Sequence, residues 1–173
     1  MTTLNDLIEY HEISQLKYRY LRAVDTHDWD LLATCFTQDA KVWYASGAFS
    51  HDGRDNIVKF LSDLMPDAFV GSHVVMHPEI TLTSPTTATG VWRLQDIVHF
   101  LEPNPVFTLS NIHGGEEMTG AGYYYDDYVK TDEGWKCSSM GYERLFEVIE
   151  PREGRPGLSV KTDPLFGRDR RGQ

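Results

Sequence analysis

The stretch TATGVWRLQDIVHFLE, from Thr87 to Glu102, constrains the fold more than any other. Its alternation is that of a long strand with one face turned to a core. Trp92, Leu94, Val98 and Phe100 share that face, and so does Asp96. An acid on the core side of a strand must be paired, protonated or functional. The alternatives are a hydrogen-bonded structural Asp96, or a bulge that turns it outward.

The remaining elements fall around this strand. In LNDLIEYHEISQLKYRYLRAVDTHD, the residues Ile13, Leu16, Tyr20, Ala23 and Val24 recur at helical spacing, which predicts a long helix ending at Asp25 or Thr26. DWDLLATCF reads as a second short helix, with Asp28 and Asp30 favourable at its start. AKVWYAS is a strand, and SHDGRDNIVKFLSDLMP is a turn followed by a helix stopped at Pro66. GSHVVMHPEI reads as a strand, and the run from Glu116 to Glu150 as a hairpin turning at Thr131 to Gly134. Helices come first and strands dominate later. That order implies an α+β fold, with helices packed on one face of a curved, mostly antiparallel sheet. Such a sheet closed by helices forms a cone, and a cone encloses a pocket. Residues 1–150 make one domain. Residues 151–173, rich in Pro, Gly and charge, make a tail that lids the pocket, reaches a neighbouring subunit or stays loose.

Composition narrows the function classes. The 173 residues carry a formal net charge of −10, which argues against nucleic acid and anionic membranes as partners. The two cysteines, Cys35 and Cys137, give no disulfide framework. The N-terminus MTTLNDLIEYHE lacks the basic and apolar regions of a secretory signal, and no apolar run is long enough to span a membrane. A cytoplasmic location is the expectation.

His73 and His77 sit four apart in the strand GSHVVMHPEI. In an extended strand His73, Val75 and His77 point one way, and the two rings lie roughly 13 Å apart at about 3.3 Å per residue. One metal ion cannot bridge that distance, and no metal site is expected. His73 reads either as a hydrogen-bonded strand histidine or as a catalytic base. His77, beside Pro78, is assigned no role. His51, His99 and His113 have no partner identifiable in the sequence. Asp25 lies where a helix dipole disfavours a carboxylate. It is five residues from Tyr20, about 140° around an ideal helix, so the two share a pocket only under special geometry. Trp43, Tyr44, Trp92 and Tyr123 to Tyr125 fall in strands, where aromatic residues form core or line an apolar pocket.

The run YLRAVDTHDWDLLATCFTQDAKVWY, followed by the His73 and Asp96 strands, resembles the SnoaL-like branch of the NTF2-like superfamily over about residues 5–148. Within it, the run is similar to the scytalone dehydratase, bile-acid 7α-dehydratase and hexachlorocyclohexane dehydrochlorinase families. The resemblance implies a pairing of Asp25 with His73. It matches Tyr20 and Asp96 to positions of the bile-acid enzymes and Tyr44 to a strand tyrosine of the scytalone enzymes. Val24 stands where the scytalone enzymes have a tyrosine. No residue is matched to the basic group of the dehydrochlorinase pocket, which favours loss of water over loss of halide.

These readings imply a cofactor-free lyase acting on a small hydrophobic, ring-containing ligand. A histidine titrates near ~6.5 when unperturbed, so a neutral base is available at pH 7. His73 would remove a proton from carbon, Asp25 would orient it, and Tyr20 or Tyr44 would bind or protonate the oxygen. Asp96 would serve as a second acid, base or anchor, and Trp92 with Tyr44 would contact the substrate. An isomerase or cyclase would use the same proton abstraction. A non-catalytic binding module, or the small subunit of an oxygenase, is the third possibility. A homo-oligomer, with a trimer favoured, follows from the resemblance.

Overall fold

A computed structural model of the chain describes residues 2–102 and 115–151. Helix α1 spans Leu4–Asp25 and opens on a capping box. The Thr3 hydroxyl accepts from the Asp6 amide, and the Asp6 carboxylate accepts from the Thr3 amide, so two otherwise orphaned donors are satisfied. Its buried stripe runs through Ile13, Leu16, Tyr20, Ala23 and Val24, as the spacing predicts. Glu9 fixes the start of this helix over the sheet, accepting from Lys130 Nζ and Trp135 Nε1, each at 2.7 Å. Helix α2, Trp29–Ala33, is capped by Asp28, whose Oδ1 accepts from the Leu31 amide at 2.9 Å.

Six strands follow or intervene: β1 Phe36–Tyr44, β2 Phe49–Asp52, β3 Phe69–Ser84, β4 Thr87–Phe100, β5 Glu116–Thr131 and β6 Gly134–Pro151. Helix α3, Arg54–Leu64, stands between β2 and β3 and stops before Pro66. The sheet order is β2-β1-β6-β5-β4-β3, with β1 and β6 parallel and every other pair antiparallel. The result is a curved, open, mostly antiparallel sheet with helices against one face. The expected α+β cone is therefore present. The short strand β2 is an addition to the sequence reading, where that stretch stood as a turn. The opposite face keeps apolar residues exposed, among them Val74, Ile97, Phe146 and Val148.

The β4 alternation holds throughout: Trp92, Leu94, Asp96, Val98 and Phe100 are all buried, and pairing with both neighbours is unbroken from Leu94 to Phe100. No bulge turns Asp96 outward. The β3 reading needs correction. Register shifts between Met76 and Glu79, and His77 has φ 51° and an exposed side chain. His73 and Val75 are partly buried, but the bulge takes His77 out of their row, and β3 continues past the GSHVVMHPEI stretch to Ser84. His99 does have a neighbour, with Nδ1 3.3 Å from Glu117, and His51 stacks on Phe60. His113 and the 152–173 part of the tail lie outside the described residues. Among the described residues no helix is long and apolar enough to cross a membrane.

Candidate active site

Asp25 and His73 meet. His73 Nδ1 lies 2.6 Å from Asp25 Oδ1, and the His73 backbone amide donates to the same carboxylate at 3.0 and 3.2 Å. Three contacts from one residue lock the carboxylate against the start of β3. The helical-angle problem is resolved without unwinding, because α1 is regular through Asp25. Tyr20 faces the interior cavity, whereas Asp25 approaches the imidazole from a shallow outer groove shared with Tyr18 and Arg22. The ring stands between them and lines both spaces.

The cavity lies between α1, α3 and the sheet. Its polar wall is Tyr20, Tyr44, Tyr124 and Tyr142 with His73, Asp96 and Arg144. Its apolar wall includes Val24, Leu61, Met65, Phe69, Val98 and Met118. The free space, about 60 Å³, takes a few water molecules. Tyr20 and Tyr44 hydroxyls are 3.2 Å apart. Burial pushes the hydroxyls of Tyr20, Tyr44 and Tyr124 well above the usual tyrosine range, so they are neutral O–H groups at pH 7.

Asp96 is paired opposite His73 in the β3–β4 register, with Oδ2 3.9 Å from His73 Nε2. Both of its oxygens accept from Arg144, through Nη1 and Nη2 at 2.6 Å each. This is the two-pronged geometry that guanidinium and carboxylate groups favour. Burial alone would lower the Arg144 pKa. Its bonds to Asp96 outweigh that effect and hold it above the ordinary arginine value. Arg144 also lies 2.9 Å from Glu147 through Nε and covers the Tyr142 ring at 4.9 Å. Gly120 makes the Asp96 pairing possible. It sits on β5 between the two partners, and a Cβ there would stand 2.5 Å from Arg144 Nη1 and 2.8 Å from Asp96 Oδ1.

Of the six residues singled out from the sequence, five gather here: Asp25, His73, Tyr20, Asp96 and Tyr44. Trp92, expected against the substrate, is not among the residues that line the cavity. It shares the inner face of β4 but lies four residues nearer the Thr87 end. Its Nε1 donates to the Tyr128 hydroxyl at 2.9 Å, and its ring packs edge-on to Tyr18. Sequence reasoning missed Arg144 and Tyr142, while Tyr124, one of the strand aromatics expected to form core or line a pocket, does line the cavity. Arg144 falls on the inward row of β6 with Met140 and Tyr142, so a charge in an apolar row was again the available signal.

With this geometry in place, its relatives can be compared. A provisionally named scytalone dehydratase from Novosphingobium aromaticivorans is 24% identical, with a TM-score of 0.69 over 83% of this chain and 88% of that one. A hexachlorocyclohexane dehydrochlorinase of type 3 from Novosphingobium barchaimii is 16% identical, with a TM-score of 0.73 over 94% of this chain and 100% of its own. A protein from Kribbella flavida is 18% identical, with a TM-score of 0.67 over 82% and 93%. At these identities the likeness establishes a shared NTF2-like fold. Residues 5–141 match the SnoaL-like domain, and the chain belongs to the SnoaL-like family.

Proposed function

We propose that this protein is a cofactor-independent carbon–oxygen lyase that removes water from a small, largely apolar ring substrate. The observation that carries this reading is the orientation of His73. Its Nδ1 is committed to Asp25 at 2.6 Å, and its ring lines the cavity. With the proton on Nδ1, the lone pair on Nε2 is free to act as a base.

The chemistry balances without a redox step. Nε2 takes a proton from a carbon next to a carbonyl. The C–H electron pair becomes the new double bond as the C–O bond on the adjacent carbon breaks. The departing oxygen takes a proton from the imidazolium or a tyrosine hydroxyl and leaves as water. Tyr20 and Tyr44, neutral and 3.2 Å apart, would donate to the oxygen on which charge develops. Asp96 is too far from Nε2 for a hydrogen bond at 3.9 Å, but near enough to stabilise the imidazolium once it forms. The dehydratase and dehydrochlorinase names among the structural relatives agree with an elimination.

The test is a panel of β-hydroxy cyclic ketones followed by mass spectrometry. Wild type should convert at least one with the loss of one water. His73→Ala should abolish that conversion with its circular dichroism unchanged. A product of unchanged mass would move the assignment to an isomerase, and full activity of the His73→Ala protein would remove the base.

A further inference from the structure

Lys17 is the anomaly of helix α1. It lies on the apolar stripe with Ile13 and Tyr20 and is 1% exposed. Its Nζ donates to Asp126 Oδ2 at 2.7 Å, and both side chains are fully enclosed. The donors around Asp126 all point one way. Trp92 Nε1 donates to the Tyr128 hydroxyl, and Tyr128 donates to the same Asp126 Oδ2 at 2.6 Å. Asp126 Oδ2 thus accepts hydrogen bonds from two donors, which favours a carboxylate facing an ammonium. Burial opposes both charges, lowering Lys17 and raising Asp126, while each partner works against that shift. A fully buried ion pair adds little net stability over apolar residues of the same size. Its presence in the core calls for another reason.

The ammonium supplies one. Lys17 Nζ stands 3.5 Å from the centroid of the Tyr124 ring and 5.2 Å from that of Tyr20. Both rings line the cavity. Arg144 covers the ring of Tyr142, which packs edge-on to Tyr124 at 5.5 Å. The tyrosine wall is therefore bracketed by two cations, Arg144 beside the cavity and Lys17 behind it. A desolvated cation over an aromatic face attracts electron density in the ring and favours negative charge on its oxygen.

We infer that Lys17, held by Asp126, is a positioning residue that polarises Tyr124 from behind, making its hydroxyl a stronger proton donor to an oxyanion in the cavity. Lys17 acts through Tyr124 and is not itself among the residues lining the cavity. The role of the cavity rests on the lyase reading, whereas the effect of Lys17 on Tyr124 does not.

The experiment therefore reads Tyr124 directly. Difluorotyrosine is placed at position 124, and its ionisation is followed by 19F NMR in the full-length protein without ligand. The groups facing it are Tyr20 from α1, Tyr44 from β1, Asp96 from β4, and Tyr142 and Arg144 from β6, all of which stay constant. In a Lys17→Met, Asp126→Asn protein the ionisation constant should fall about tenfold or more, with far-ultraviolet circular dichroism retained. Lys17→Gln, which keeps a polar partner for Asp126 but no positive charge, should shift it in the same direction and further. If the paired variant does not fold, Lys17→Gln alone decides the question. An unchanged ionisation in a folded variant overturns the inference. If wild type turns over no β-hydroxy ketone, the lyase reading fails while this result stands by itself.

Discussion

The Asp25 carboxylate carries more than a proton-holding role, because it also accepts from the backbone of the residue it orients. Oδ1 serves both the His73 ring and the His73 amide, and Oδ2 serves the amide alone. An asparagine has one acceptor oxygen where aspartate has two. In Asp25→Asn that oxygen stays with the buried amide, and the NH₂ group turns to Nδ1. The imidazole must then carry its proton on Nε2, facing the cavity, where it cannot act as a base. Turnover should fall on the order of 10³-fold. A 15N NMR spectrum of the ring should show the exchanged tautomer. An unchanged tautomer with unchanged turnover would separate Asp25 from the chemistry. At this scale the sequence was informative wherever a residue broke its pattern. Asp96 stood out in an apolar row and proved buried and paired. Lys17, Asp126 and Arg144 broke their patterns equally plainly, each with a partner 48 to 109 residues away that no local reading can supply.

Elements were legible in proportion to their length and regularity. α1 and β4 have many turns or alternations, so their burial was readable from spacing alone. β2 has only four residues, too few for a period to emerge, and is defined by its pairing with β1. The bulges on β3 and β6 were invisible because one extra residue reverses every inference about facing. On β6 the register shifts beside Arg144, so the row of Met140, Tyr142 and Arg144 does not carry on into the LFEVIE run. The strand arrangement also explains Gly120. Asp96 on β4 and Arg144 on β6 belong to strands separated by β5, and their contact passes over Gly120. Gly120→Ala places a methyl group between the two charges. It should cost about 1–3 kcal/mol of stability, as overpacking does. It should also lower turnover beyond what the stability loss explains, since Asp96 is displaced from His73. Denaturant unfolding and steady-state kinetics on the same protein check both. Wild-type kinetics in a destabilised Gly120→Ala protein would show that the Asp96–Arg144 pairing is structural only.

On the scale of the whole molecule, the cavity wall also sets how the fold responds to alkali. Burial raises Tyr20, Tyr44, Tyr124 and Tyr128 well above 10.0 and Cys137 well above 9.0, and it pushes Cys35 up to about 11. In each case the folded state holds its proton more tightly than the unfolded chain. Below pH 9 both states are protonated at these groups, and their contribution is complete. As pH rises past 9 for the cysteines and 10 for the tyrosines, the unfolded chain releases protons that the folded one retains. Stability then falls continuously until the folded values are reached. Cys35 alone accounts for about 3 kcal/mol over that interval. Lys17, lowered by burial, has the opposite sign, because the unfolded chain there binds the extra proton. It is one group against seven, Tyr142 being raised by burial too, and only softens the decline. The protein should therefore unfold cooperatively in alkali, with the loss of stability starting near pH 9. Absorbance of tyrosinate should show a late phase in which the buried tyrosines ionise together with the loss of far-ultraviolet circular dichroism. All nine tyrosines ionising in one step with the dichroism intact would mean that the wall is open to solvent, and the enclosed, donor-lined cavity on which the elimination depends would be lost with it.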